Sequence, residues 1–197
     1  MITLAQVRAA LAQRRPREGN APEARPAAVA LVLVEGTPPR GVELLLIKRA
    51  QQAGDPWSGQ MALPGGRREA SDVDLLATAV RETHEETGVV LERTQSLGAL
   101  DDLVPSAPTL PPVLVRPFVF AVAGAPGHAA RPALVTNQEV DRALWVPLER
   151  LSDPDVRSDV TFTLRGVERT FPAYRLGDDV VWGMTERILT PFLVLVR

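Results

Sequence analysis

The sequence contains no cysteine, which excludes disulfides, thiolate metal sites and thiol nucleophiles. Histidine is nearly absent too, with only His84 and His128. Lys48 is the single lysine among 22 basic residues, so the arginines reflect a compositional bias, and any one of them says little about phosphate recognition. No apolar run approaches the roughly 20 residues needed to span a bilayer. The stretch from Met1 to Leu11 is broken by Thr3, Gln6 and Arg8 and lacks a signal-peptide pattern. Net charge is only −2, so no overall field recruits nucleic acid or an anionic membrane. The expectation is a cytoplasmic soluble protein. Its 197 residues, 45% of them apolar, suffice for one domain with a core of two packed layers. Residues 1–26 read as an N-terminal helix and proline-rich loop, and 160–197 as a hairpin and helix appended to the same core.

What is present centres on Leu63-Pro64-Gly65-Gly66, Ser71-Asp72, and a helical pattern from Asp74 to Thr87 that stops at Gly88. Ser71, Asp72 and Asp74 are candidate N-caps, and Leu75, Leu76, Ala79 and Val80 recur at helical spacing. At about 100° per residue, Glu82 and Glu86 fall within about 20° of Leu75, whereas Glu85 lies about 80° away and His84 on the far side. Two carboxylates therefore continue the apolar face, where a solvated charge run would sit opposite it. Half-buried at about 5 Å with an effective dielectric of 20, such a pair repels by about 3 kcal/mol. A hard divalent cation, Mg²⁺ or Mn²⁺, relieves that repulsion; protonation is the rival remedy.

Arg81-Glu82-x-x-Glu85-Glu86-x-Gly88-Val89 resembles the signature of the Nudix hydrolases, G-x5-E-x7-R-E-U-x-E-E-x-G-U, with U aliphatic. The sequence departs from it in placing Asp72 where Glu is usual, with eight residues instead of seven before Arg81, and in Thr83 for an aliphatic residue. Those departures leave the role of Asp72 open. Leu45-Leu46-Ile47-Lys48-Arg49-Ala50 followed by Gly59 to Gly66 is similar to the extra motif of the coenzyme A diphosphatase branch, L-L-T-x-R-S/A then G-x3-F-P-G-G, with Ile47 for Thr and Leu63 for Phe. The run Val181-Trp182-Gly183-Met184-Thr185-Glu186-Arg187-Ile188-Leu189 resembles a further segment of that branch.

The resemblance implies an α+β fold, an α/β/α sandwich in which a mixed β-sheet lies between helices and carries the catalytic loop-helix-loop. It implies that Glu82, Glu85 and Glu86 hold Mg²⁺ or Mn²⁺, with Glu86 the foremost ligand, and that Arg81 orients a carboxylate. The Gly65-Gly66 turn lets backbone approach metal or substrate. Lys48 and Arg49, at a strand end, are candidates for substrate phosphate, with solvent-facing charge as the alternative. Glu139, in the Asn137-Gln138-Glu139-Val140 segment, is a candidate base or additional ligand, with a strand-end surface acid as the alternative. The small-molecule substrate so implied is coenzyme A, cut to 4′-phosphopantetheine and adenosine 3′,5′-bisphosphate. Other nucleoside diphosphate derivatives such as NADH or ADP-ribose, or a non-catalytic binding module, are the alternatives.

Elsewhere the pattern predicts a helix over Thr3 to Arg15, with Arg14, Arg15 and Arg17 solvated, and paired strands over Ala27 to Val34 and Val42 to Arg49. Gly54-Asp55-Pro56 reads as a turn, and Trp57 as a plug at the core edge or a stacking platform for a base. Strands are expected over Val89 to Leu91 and Gln95 to Leu103. A bulged or edge strand over Val113 to Ala123 would accommodate Pro117. A proline-rich loop from Pro105 to Pro112 precedes it. A strand and short helix around Ala143 to Leu151, a hairpin over Thr161 to Tyr174, a strand over Val180 to Trp182 and a helix from Gly183 to Val196 complete the reading.

Overall fold

The computed structural model describes residues 1–36, 40–52, 58–105, 112–122, 131–164 and 166–197. The Gly54-Asp55-Pro56 turn, Trp57, His128 and most of the Pro105 to Pro112 loop lie outside the described residues. The elements in order are α1 (Leu4–Ala12), β1 (Arg25–Glu35), β2 (Val42–Arg49), β3 (Met61–Ala62), β4 (Gly65–Arg67) and α2 (Leu75–Thr87). There follow β5 (Ser96–Ala99), β6 (Val113–Val122), β7 (Val140–Pro147), α3 (Leu148–Ser152), β8 (Arg157–Leu164), β9 (Val167–Leu176), β10 (Asp179–Trp182) and α4 (Gly183–Leu195).

The strands form a mixed sheet in the order β5-β6-β1-β2-β3-β10-β9-β8, with β4 also on β1 and β7 also on β2. The β1/β6 and β3/β10 pairs are parallel. Direct β1/β2 pairing covers only Leu33 to Glu35 against Val42 to Leu44. Beyond it the two strands part: β4 takes the start of β1 and β3 the end of β2. Gly65 and Gly66, expected as a turn, instead open β4, paired with Val29 and Ala28 of β1, and are thereby seated in the split at the middle of the sheet.

Alternating side chains give the sheet two buried faces. Ala28, Ala30, Val32, Leu45 and Phe120 meet Ala79 of α2 on one. Leu31, Leu33, Leu44 and Leu46 on the other meet Val7 and Leu11 of α1, Leu151 of α3, and Leu189 and Phe192 of α4. The sheet thus lies between helices, as an α/β/α sandwich requires.

Several boundaries differ from the sequence reading. α1 ends at Ala12, and Arg14 and Arg17 are not simply solvated, because both pair with Asp101 and tie the loop after α1 to the segment after β5. Val89 to Leu91 form no strand, and the Gln95 to Leu103 run narrows to β5, with an isolated bridge at Leu103. Pro117 sits neither at the sheet edge nor in a bulge. β6 lies between β5 and β1, and the Pro117 carbonyl, on the β5 side, accepts from Leu100 just past the end of β5. The missing N–H therefore falls where the short partner strand has already ended. The hairpin is longer than expected, pairing Arg157 to Leu164 with Val167 to Tyr174.

The segment leading into β7 is anchored by a charge pair that periodicity could not reveal. Glu43 of β2 is fully buried, and Arg131 donates to both of its oxygens, Nε to Oε2 at 2.5 Å and Nη2 to Oε1 at 2.7 Å. Arg131→Ala should lose about 3 kcal/mol in chemical denaturation, because it leaves a buried carboxylate with only the more distant Arg40, Nη1 at 3.7 Å, whereas Arg131→Met with Glu43→Gln should recover most of it.

Candidate active site

α2 starts where Asp74 caps it, accepting from the Ala77 N–H at 2.8 Å, and ends where Gly88 adopts φ 71° and returns its N–H to the His84 carbonyl. The Arg93 guanidinium, with the Ala77 N–H, holds Asp74 down to about 2. Thr83, where the pattern calls for an aliphatic residue, is buried with its hydroxyl donated to the Ala79 carbonyl at 2.7 Å, which satisfies the polar group inside the helix.

Asp72 now has a role. Its carboxylate is buried just ahead of the cap, accepting from the Glu69 N–H, from Thr78 Oγ1, and from Arg81 Nε and Nη2 at 3.1 and 3.0 Å. Arg81, opposing the cost of burial, holds it at about 2. Because Asp72 precedes the helix, the extra residue before Arg81 does not break the contact. Arg81 also lies 3.0 Å from both Glu82 and Glu85 and donates to the Arg67 carbonyl. It is enclosed by this chain's own acceptors, as expected of a residue that orients carboxylates.

Glu86 is 3% exposed and accepts from the Gly65 N–H at 2.8 Å. Burial pushes its carboxyl up to about 8, against the Gly65 hydrogen bond, and Glu82 and Glu139 raise it further while Arg49 opposes them. Burial raises Glu82 as well, with Arg81 opposing. The glycines are dictated by these approaches. A Cβ on Gly66 would lie 2.3 Å from Glu82 Oε1, and one on Gly65, at φ 152°, 2.3 Å from the Ala28 carbonyl. Glu85 and His84 are exposed, as the wheel placed them.

Glu139 arrives on the segment anchored by Arg131. The Val135 N–H donates to the Thr87 carbonyl at the end of α2, Asn137 Oδ1 accepts from the Glu139 N–H, and the Glu139 carbonyl accepts from Ala50. It is exposed and close enough to Glu82 and Glu86 to raise both. Arg49 lies on the α2 face of β2 and acts on Glu86. Lys48 does not join them. Its side chain points to the opposite face and pairs with Asp179 at 3.1 Å, beside Arg142 on the same carboxylate, because neighbouring residues of a strand face opposite ways.

Among the described residues, no three acidic or histidine side chains stand close enough together to hold an ion as placed. Glu82 and Glu85 are both drawn to Arg81. The donor set nevertheless suits a hard divalent cation: carboxylate oxygens only, one of them pushed up to about 8 by burial.

The family model for the NUDIX domain matches residues 24–165, a span that includes β1, α2 and β7. The chain belongs to the Nudix family. That membership groups it with the Nudix hydrolases. It is 33% identical over 86% of its length to the mitochondrial coenzyme A diphosphatase NUDT8 of Homo sapiens, covering 69% of that protein. It is 35% identical over 66% of its length to the uncharacterized protein C14C4.10c of Schizosaccharomyces pombe, but spans only 40% of that relative. A MutT/nudix family protein from Enterococcus faecalis shares the fold, with TM-score 0.59, 19% identity, and coverage of 98% of this chain and 67% of that one.

The Nudix signature directs attention to the glutamates, but the Glu43 and Arg131 pair, far apart in sequence, has no local signal. Asp72 had one, its position ahead of the cap, although not its partner. In the metal-free protein, Glu86 binds a proton in the folded state that the unfolded chain releases near pH 4.5. Folded stability should therefore fall as pH rises from about 4.5 to about 8, by at most about 1.4 kcal/mol per pH unit. Melting curves with chelator across that range should show the decline in wild type and a much shallower one in Glu86→Gln, where the raised Glu82 remains.

Proposed function

We propose that the chain hydrolyses the diphosphate bond of coenzyme A and its derivatives, giving 4′-phosphopantetheine and adenosine 3′,5′-bisphosphate in a Mg²⁺- or Mn²⁺-dependent reaction. The buried Glu86 beside Glu82 and the Gly65-Gly66 turn carries the chemical half of this reading. Similarity to the human coenzyme A diphosphatase over most of the chain supports the substrate half. Because the chain spans less than half of the fission-yeast relative, the activity is read from the site and not from that protein's whole.

A diphosphate resists hydroxide because it is itself anionic, so catalysis needs charge neutralised on the phosphoryl oxygens and hydroxide supplied at neutral pH. Glu82, Glu85 and Glu86 would hold the divalent cation, which when bound supplies both. Arg81, anchored on Asp72, orients Glu82 and Glu85 toward that role. Gly65 and Gly66 keep the backbone free of Cβ atoms where metal or substrate approaches. Glu139, exposed and in range of the pair, takes the proton of the attacking water or adds a ligand. Arg49 lies on the face of the glutamates, where the substrate phosphates would come, whereas Lys48 faces the other way and pairs with Asp179.

Incubation of the purified protein with coenzyme A and Mg²⁺ or Mn²⁺, followed by chromatography, should yield both products and none with chelator. Cleavage of NADH or ADP-ribose alone would overturn the substrate. No cleavage across the panel would leave a binding module. Glu86→Gln should lower turnover about a thousandfold while unfolding at pH 5 is almost unchanged, and a retained rate would remove Glu86 from the mechanism.

A further inference from the structure

On the α2 side of the sheet, α2 packs over β1, β4, β6 and β7, while α4 meets β9 and β10 from the opposite side. Tyr174 and Val181 belong to the core beneath α4. By alternation, Phe171 of β9 and Trp182 of β10 turn to the α2 side, as does Phe162, the register partner of Arg169. The three rings form one group: Trp182 stacks on Phe162 at 4.2 Å and 27°, and Phe171 tilts against Trp182 at 5.2 Å. All three are only half-buried.

The strand registers connect this group to the carboxylates. Lys48 pairs with Met61 and Met61 with Val181, so one residue along each strand Arg49, Gln60, Val180 and Arg175 form a row across the same face. At about 4.8 Å per strand, Arg175 stands about 14 Å from Arg49 at the backbone, and Trp182, in the next row, about 10 Å from β2. Arg175 is exposed and makes no ion pair with any described residue. An aromatic platform and an uncommitted guanidinium thus lie on the face that carries Glu86, within reach of a molecule the size of a nucleotide.

We propose that this surface is the nucleoside subsite of the active site: Trp182, backed by Phe162 and Phe171, stacks on the base, and Arg175 binds a phosphate carried on the ribose. The inference rests on the coenzyme A reading, since the adenosine of that molecule bears a 3′-phosphate in addition to the diphosphate. Aromatic faces accept any base, and a guanidinium matches a phosphate in two-point geometry, so the phosphate contact supplies the selectivity.

The test compares kcat/KM for coenzyme A and for coenzyme A lacking its 3′-phosphate in wild type, R175A, R175K and W182L. R175A should lower the ratio of the two values about tenfold, and R175K should restore most of it. W182L should lower both values about tenfold through KM, with the ratio kept. An unchanged ratio in R175A overturns the phosphate contact, and a loss in W182L through kcat with KM unchanged overturns the stacking. Arg175 is exposed, so its variant stays informative even if W182L folds poorly. If wild type cleaves neither compound but cleaves another nucleoside diphosphate derivative, the coenzyme A reading falls and takes the phosphate contact with it. Failure of the variants alone, with wild-type cleavage intact, removes only the subsite.

Discussion

Two carboxylates one helical turn apart on the buried side of α2 set the terms for the surrounding structure. Glu82 and Glu86 repel each other, and burial raises the cost of charging either. The protein meets that cost with what the fold can bring near: the Gly65 N–H on Glu86, Arg81 on Glu82, and Arg49 from β2. It also brings Glu139 close, which adds to the strain. A structural core would place a neutral side chain at each of these positions. An acidic cluster kept under such tension is suited to meeting a cation, and the division of β1 from β2 exists where the Gly65-Gly66 turn must reach it.

Positive charge is distributed with equal economy. Arg81 is spent on acidic neighbours of its own chain, and its link to Asp72 fixes the loop ahead of α2 to the middle of the helix. Lys48 and Arg142 share the buried Asp179 on the far face. Arg131 is held by Glu43 and secures the segment that delivers Glu139. Arg49 faces the carboxylates, and Arg175, on the same side, makes no ion pair with any described residue. The arginine bias of the sequence conceals this sorting, since residues of one type serve as anchor, orienter and surface cation according to the face they occupy.

The two faces of the sheet differ in consequence. The face packed by α1, α3 and α4 is apolar except where Lys48 and Arg142 meet Asp179, and it fixes the fold. The α2 face is apolar only over part of its width and gives way to Arg49, Gln60 and the aromatic group around Trp182. Among the described residues, one helix covers the part that needs a core, and the aromatic group beyond it is only half-buried.

Local chemistry made much of this legible. Helical periodicity with Asp74 and Gly88 as punctuation located α2 to within a residue, and the same periodicity put Glu82 and Glu86 inside and His84 outside. A continuous apolar run marked β2, and the signature residues identified the Nudix family. What lay beyond reach depended on neighbours distant in the chain. The strand over Val113 to Val122 tolerates Pro117 because β5 ends beside it at Ala99, so that only the Pro117 carbonyl is called on, by the Leu100 N–H. Lys48 and Arg49 read alike in sequence, and only the register of β2 with β3 and β7 sent one to Asp179 and the other to the glutamates. Asp72 and Arg81 could be seen, but their contact could not, because it closes through a turn outside the helix. The sequence by itself determined the helix, its carboxylates and the family, since these follow from periods of a few residues and from side-chain chemistry. Tertiary structure alone decided which cations meet which carboxylates and which sheet face remains open, since burial and long-range register are properties of the packed chain.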